Sequence, residues 1–208
     1  MKTCYIVGAG DFFASFLPKK EDLVIAADGG YKHLCESNIR CDLFVGDSDS
    51  LGYIPSGIEA ITYPVKKDET DMYLAYKAGK DRGYSRFVIY GGTGGRIDHT
   101  FANFSLLCAA AKAGDNIEIR DTEWGASAIY NKKIRIHAPQ DSPLSVFAFG
   151  GKARGVSIEK TAYEASGIEL SPDFPLGVSN AFTSEDAEIS VCDGALLIIY
   201  SAAAKILP

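Results

Sequence analysis

Short apolar runs in the first half of this chain end, one after another, in glycine. Residues 4–7 run into Gly8-Ala9-Gly10, and residues 23–27 into Asp28-Gly29-Gly30. Residues 43–45 end in Gly46, and residues 87–90 in Gly91-Gly92. Runs of this length, bounded by turn residues and without polar alternation, read as strands buried on both faces. Residues 60–64 and 117–119 read as further strands. Helical patterns lie between them, over 31–37, 70–82 and 98–113. Thr70 is placed to cap the second, with Asp71 in its first turn, where the helix dipole favours negative charge. In the third, Phe101, Phe104, Leu107 (or Cys108) and Ala111 recur at three-to-four spacing. Strands alternating with helices predict βα units and a mostly parallel, Rossmann-like sheet.

After Trp124 helical periodicity stops. Short β-like runs take over at 128–130, 134–136, 144–149, 156–158, 188–192 and 195–200. Asp193-Gly194 between the last two is a hairpin signal. The chain thus reads as α/β then all-β: an α/β domain over 1–123 and a small β-sandwich over 124–208. It has no internal repeat and no low-complexity segment.

A net charge of −6 argues against a general nucleic-acid binder. It leaves room for an anionic substrate, because a few local cations and a metal can build a positive pocket. The five cysteines are far apart, odd in number and without a C-x-x-C pair. That is neither a disulfide framework nor a zinc site, and it suggests a reducing cytoplasm. No signal peptide is expected. No stretch approaches the roughly 20 apolar residues of a membrane span.

Polar residues cluster where the predicted strands end. If the strands at 43–45 and 60–64 are parallel neighbours, their following loops open on one rim, where open α/β sheets bind ligands. Asp47 and Asp49, from Gly46-Asp47-Ser48-Asp49-Ser50, could meet Asp71 there. Crowded carboxylates repel unless a cation neutralises them, and all-oxygen ligands suit Mg²⁺ bridged to phosphates. In Lys66-Lys67-Asp68-Glu69-Thr70-Asp71, Lys67 is a point charge suited to phosphate oxygens. Asp28 either caps the helix after it or joins the acidic rim. Gly91-Gly92-Thr93-Gly94-Gly95-Arg96-Ile97-Asp98-His99 is rich enough in glycine for its amides to approach a phosphate. It lacks the Lys-Ser or Lys-Thr of a Walker A loop, and Arg96 supplies the cation instead. Asp98 either holds Arg96 or caps the helix, and His99 reads as a structural histidine. Candidates to meet a nucleotide are therefore Lys67, Thr70, Gly92, Thr93, Gly95 and Arg96. Gly8-Ala9-Gly10 lacks the third glycine of a dinucleotide fingerprint, and reads first as a tight turn.

The ordered set ADGG, GDSDS, KKDETD and GGRIDH resembles thiamine pyrophosphokinase, and Gly177-Val178-Ser179-Asn180 extends the resemblance over nearly the whole chain. The resemblance implies a homodimer that transfers a pyrophosphoryl group from ATP to the hydroxyl of thiamine, giving thiamine diphosphate and AMP. It matches Asp47, Asp49 and Asp71 to metal-binding aspartates. It matches Asp28, Lys67, Arg96 and Asp98 to positions around the triphosphate and the reacting centre. Ser179 and Asn180 match a thiamine-binding segment, with Phe182 as an aromatic that stacks on thiamine. It also implies an active site shared across the dimer. Asp28 or Asp71 could accept the alcohol proton, and the residues do not choose between them.

Two other readings compete. An Asp-x-Asp phosphatase would use Asp47 as nucleophile and Asp49 as acid. Such enzymes usually carry Thr or Val where Leu51 stands, and the KDETD and GGRIDH segments have no task there. A non-catalytic nucleotide-binding module would bind ATP without turnover.

Overall fold

The computed structural model describes residues 2–13, 16–47, 49, 51–183 and 186–207, so Ser48 and Ser50 of the acidic loop lie outside the described residues. The chain groups into two compact units, residues 1–103 with 119–122, and residues 104–118 with 123–208.

The first unit holds β1 (Cys4–Val7), β2 (Leu23–Ala27), α1 (Gly30–Glu36), β3 (Leu43–Gly46), β4 (Glu59–Thr62), α2 (Asp71–Asp81) and β5 (Arg86–Tyr90). The division between units runs through α3 (Ile97–Lys112) and β6 (Asn116–Arg120). Pairing is parallel throughout β5-β1-β2-β3-β4. Parallel strands bring all their C-terminal loops to one edge. The order turns at β1, whose neighbours are β2 on one side and β5 on the other, and a crevice opens at such a reversal. Val7, Val24, Ala26, Leu34 and Phe44 form an apolar core in this unit.

Thr70 caps α2 as expected, its Oγ1 accepting from Tyr73 N at 3.2 Å. The expected stripe on α3 holds at Leu107, Cys108 and Ala111 but not at its start. Phe101 is 63% exposed, while Asn103, Leu106, Leu107, Ala110 and Ala111 are buried. The buried row starts two residues further on, at Asn103, whose amide donates to Gly92 O at 2.6 Å. No helix of the described residues is long and apolar enough to cross a membrane.

The second unit contains β7 (Trp124–Tyr130), β8 (Lys133–His137), β9 (Pro143–Ala148), β10 (Ala153–Glu159), β11 (Ala165–Leu170), β12 (Asn180–Ala181), β13 (Ala187–Ser190), β14 (Ala195–Ser201) and β15 (Lys205–Ile206). Strands β12-β9-β14-β7 pair antiparallel. A second antiparallel sheet runs β11-β10-β13-β8-β15. Ile129, Val146, Val156, Ile189 and Ile198, drawn from both, share one core. The expected hairpin at Asp193-Gly194 does not form. β13 pairs with β10 and β8, and β14 with β7 and β9, so this turn carries the chain from one sheet to the other. The turn is bonded to β10 instead: Arg154 N donates to Asp193 O at 2.7 Å, and Asp193 N returns to Arg154 O at 3.1 Å.

Candidate active site

The loops after β1, β2, β3 and β5 and the segment leading into α2 enclose a cleft of about 970 Å³ in the first unit. Its floor depends on two glycines. Gly8 N donates to Tyr90 O, Gly10 N to Gly91 O and Asp11 N to Thr93 O, all within 2.9 Å. A Cβ on Gly10 would lie 1.9 Å from Thr93 O, and one on Gly91 2.3 Å from Gly8 O. Those three amides are therefore committed to the neighbouring loop, and the first glycine pair acts as a close-packed turn.

One oxygen each from Asp28, Asp47 and Asp71 lies within 4.8 Å of the others. Asp28 has φ +46, a left-handed conformation that Asp tolerates better than most residues. Its side chain does not cap α1, and its buried Oδ1 has no hydrogen-bond partner among the described residues. Lys67 Nζ lies 2.9 Å from both Asp47 Oδ2 and Asp71 Oδ1. The Asp71 contact is an ion pair without regular hydrogen-bond geometry, since that oxygen is otherwise unpartnered. The Lys67 hydrogen bond, helped by the Asp49 amide, holds the Asp47 carboxyl below its ordinary range. Burial raises Asp71, against the opposing pull of Lys67. For Lys67 burial is the largest single influence and lowers it, but the two aspartates together outweigh burial and raise it.

Asp49 stands apart. Its amide donates to Asp47 Oδ1 at 3.1 Å, and the residue is exposed and outside the three-carboxylate group. Thr70, Gly92, Thr93, Gly95 and Arg96 line the cleft with Lys67. Arg96 is 72% exposed and forms a two-pronged pair with Asp98, Nε to Oδ1 at 3.1 Å and Nη2 to Oδ2 at 2.6 Å. Asp98 Oδ1 also accepts from His99 N at 3.0 Å within the first turn of α3, while the same side chain holds Arg96. Hydrogen bonding from Arg96 lowers Asp98.

In the second unit, Ser179 is exposed with φ +62. Asn180 is buried, and its amide is saturated within the chain. Oδ1 accepts from Tyr163 N at 2.9 Å and Ala181 N at 2.8 Å. Nδ2 donates to Tyr163 O at 2.7 Å and Thr161 Oγ1 at 3.1 Å. Phe182 is 1% exposed and belongs to the core. The aromatic presented to solvent here is Tyr163, 72% exposed, whose backbone Asn180 clasps. Sequence reasoning passed over Tyr163 because a lone tyrosine in a turn carries no spacing signal.

The family model for the thiamin pyrophosphokinase catalytic domain matches residues 15–119, just over half of the chain. The chain belongs to the thiamin pyrophosphokinase family. A thiamine pyrophosphokinase of Bacillus subtilis (strain 168) is 24% identical over 97% of this chain and 99% of its own. Among solved structures, a thiamin pyrophosphokinase family protein from Enterococcus faecalis superposes with TM-score 0.83 at 26% identity, covering 95% of this chain and 98% of that one. The Bacillus subtilis thiamine pyrophosphokinase structure gives TM-score 0.82 at 21% identity, covering 96% and 98%.

Proposed function

We propose that this protein transfers the pyrophosphoryl group of ATP to the hydroxyl of thiamine, forming thiamine diphosphate and AMP. The observation that carries this reading is the cleft of a family member in which Asp28, Asp47, Asp71 and Lys67 and the glycine loop 91–95 line the same space. The parallel first unit is read as a Rossmann-like ATP domain, and the second as a β-sandwich for thiamine and dimerisation, with the boundary at residue 123. A cytoplasmic location fits cysteines that are all free.

The donor set fits Mg²⁺: hard oxygens, clustered, with the buried Asp28 oxygen unpartnered. Asp28, Asp47 and Asp71 would hold it, with Asp49 adding charge from the same loop. Bound there, the ion would neutralise phosphate charge. The chain's own groups do the rest. Lys67 and Arg96 meet phosphate oxygens, and the loop at Gly92, Thr93 and Gly95 orients them. Positioning and charge neutralisation supply most of catalysis in phosphoryl transfer. Asp28 or Asp71 is placed to take the alcohol proton, and the geometry does not choose between them.

Incubation with ATP, Mg²⁺ and thiamine tests the reading. AMP should appear in step with thiamine diphosphate. ADP, free phosphate, or ATP binding without turnover would replace it with a kinase, phosphatase or binding module.

For thiamine we propose a homodimer whose sites combine the first unit of one chain with Ser179, Asn180 and Phe182 of the other. Asn180 and Phe182 act there by shaping the segment that presents Ser179 and Tyr163. Mixing inactive Asp71→Asn with inactive Asn180→Ala should restore activity, because one site of each mixed dimer is intact. Asn180→Ala also removes four hydrogen bonds, so Tyr163→Ala serves as a second partner. Confirmed subunit exchange without recovery would place the thiamine pocket in a single chain.

A further inference from the structure

Asp121 follows β6 directly and is 7% exposed. Its Oδ2 accepts a hydrogen bond from the Thr93 hydroxyl. Its Oδ1 accepts from Thr122 N at 2.5 Å and Thr122 Oγ1 at 3.0 Å. Both carboxylate oxygens are thus occupied by donors from the protein. Thr93 is itself 3% exposed, and its carbonyl accepts from Asp11 N at 2.7 Å. Next to it, the buried Asn103 amide holds Gly92 O.

A threonine hydroxyl has one proton to donate, and here Asp121 receives it. The Thr93 side chain therefore cannot donate to a phosphate; what it offers a nucleotide is its main chain. Among the described residues, the amides of Thr93, Gly94 and Gly95 donate to no protein acceptor. Gly94 and Gly95 have φ +83 and +65, and consecutive amides in such a turn form an anion-binding concavity. A glycine-rich loop loses much conformational freedom when it is held in one shape. The side-chain anchors at Thr93 and Gly92 hold it before any ligand arrives.

We infer that Asp121 is a positioning residue for the nucleotide, fixing through the Thr93 hydroxyl the shape in which loop 91–95 presents its amides to phosphate. This rests on the cleft being the ATP site. Asp121 touches neither substrate nor metal; it acts through Thr93.

The test compares Asp121→Ala and Thr93→Val with Asp121→Asn and Thr93→Ser. Calorimetry reads Mg–ATP affinity without thiamine, and steady-state assays read KM for each substrate and kcat. Asp121→Ala and Thr93→Val should each weaken ATP binding and raise its KM about tenfold, with KM for thiamine within about twofold. The double variant should match either single one, because both break the same link. Thr93→Ser should recover most of the affinity, since it keeps the donating hydroxyl, and Asp121→Asn only part, since its single amide oxygen cannot accept from both Thr93 and Thr122. If Asp121→Ala does not fold, Thr93→Val, nearly the same shape, carries the test. ATP affinity within about twofold of wild type in Thr93→Val, or multiplying losses in the double variant, overturns the inference. Failure of the proposed activity reads separately, as absence of AMP from the wild-type protein while the binding contrast remains measurable.

Discussion

Asp28→Asn is expected to lower turnover about a hundredfold or more, as loss of a charge-stabilising group at a phosphoryl-transfer centre does. The same variant should melt higher than wild type when divalent cations are chelated. Three aspartates and one lysine meet in this cleft, leaving an excess of negative charge. Lys67 serves Asp47 and Asp71, and Asp28 Oδ1 has no hydrogen-bond partner. Neutralising Asp28 thus removes repulsion without breaking a hydrogen bond to that oxygen. Asparagine keeps the size and tolerates the left-handed backbone at φ +46. Relief on the order of 1 kcal/mol corresponds to about 2–4 °C in a chain of this size. Added Mg²⁺ should narrow or reverse the gap, because the ion stabilises the wild-type site more. Normal turnover together with an unchanged apo melting temperature would remove Asp28 from the site. Asp47→Asn lacks this clean signature, since it also weakens the partner of Lys67.

Arg96→Ala should lose about a hundredfold in kcat/KM for ATP, and Arg96→Lys should recover only part of it. The guanidinium stands 72% exposed at the cleft, held flat by Asp98 through two bonds. An arginine clasped this way is preorganised, and its remaining N–H donors can meet phosphate oxygens in the plane of the fork. Lysine restores charge without that plane. Both KM for ATP and kcat should suffer if Arg96 follows charge that grows during transfer. Equal activity in all three proteins would place Arg96 outside the reaction.

Much of the first unit was legible because each apolar run stops at glycine, and parallel pairing then fixes which loops meet. That logic brought Asp47, Lys67 and Asp71 together from two separate motifs. It left Asp28 with two readings, helix cap or member of the acidic rim. Its place depends on a left-handed backbone and on the absence of a side-chain cap at α1, and neither is written in ADGG. Asp-x-Asp spacing suggested that Asp47 and Asp49 face the same way, but the loop turns the second carboxylate outward and uses its amide instead. The hairpin expectation failed for a related reason. Asp193-Gly194 encodes a turn, but the partner of each strand is chosen by which core its apolar face completes. On α3, periodicity counted Phe101 as core, and a buried asparagine with a main-chain acceptor took the row. Asp121 gave no sequence signal, because its partner lies twenty-eight residues earlier.

With a lysine lodged between Asp47 and Asp71, a metal ion entering there as proposed would exchange for an ammonium rather than fill a vacancy. A potassium or sodium ion that displaced the ammonium would trade one unit of charge for another and forfeit a hydrogen bond. A doubly charged ion brings a second unit and frees the ammonium to turn toward whatever anion arrives with it. On the proposed reading, the resident ammonium would thereby favour a divalent ion over the monovalent ions abundant in any cell.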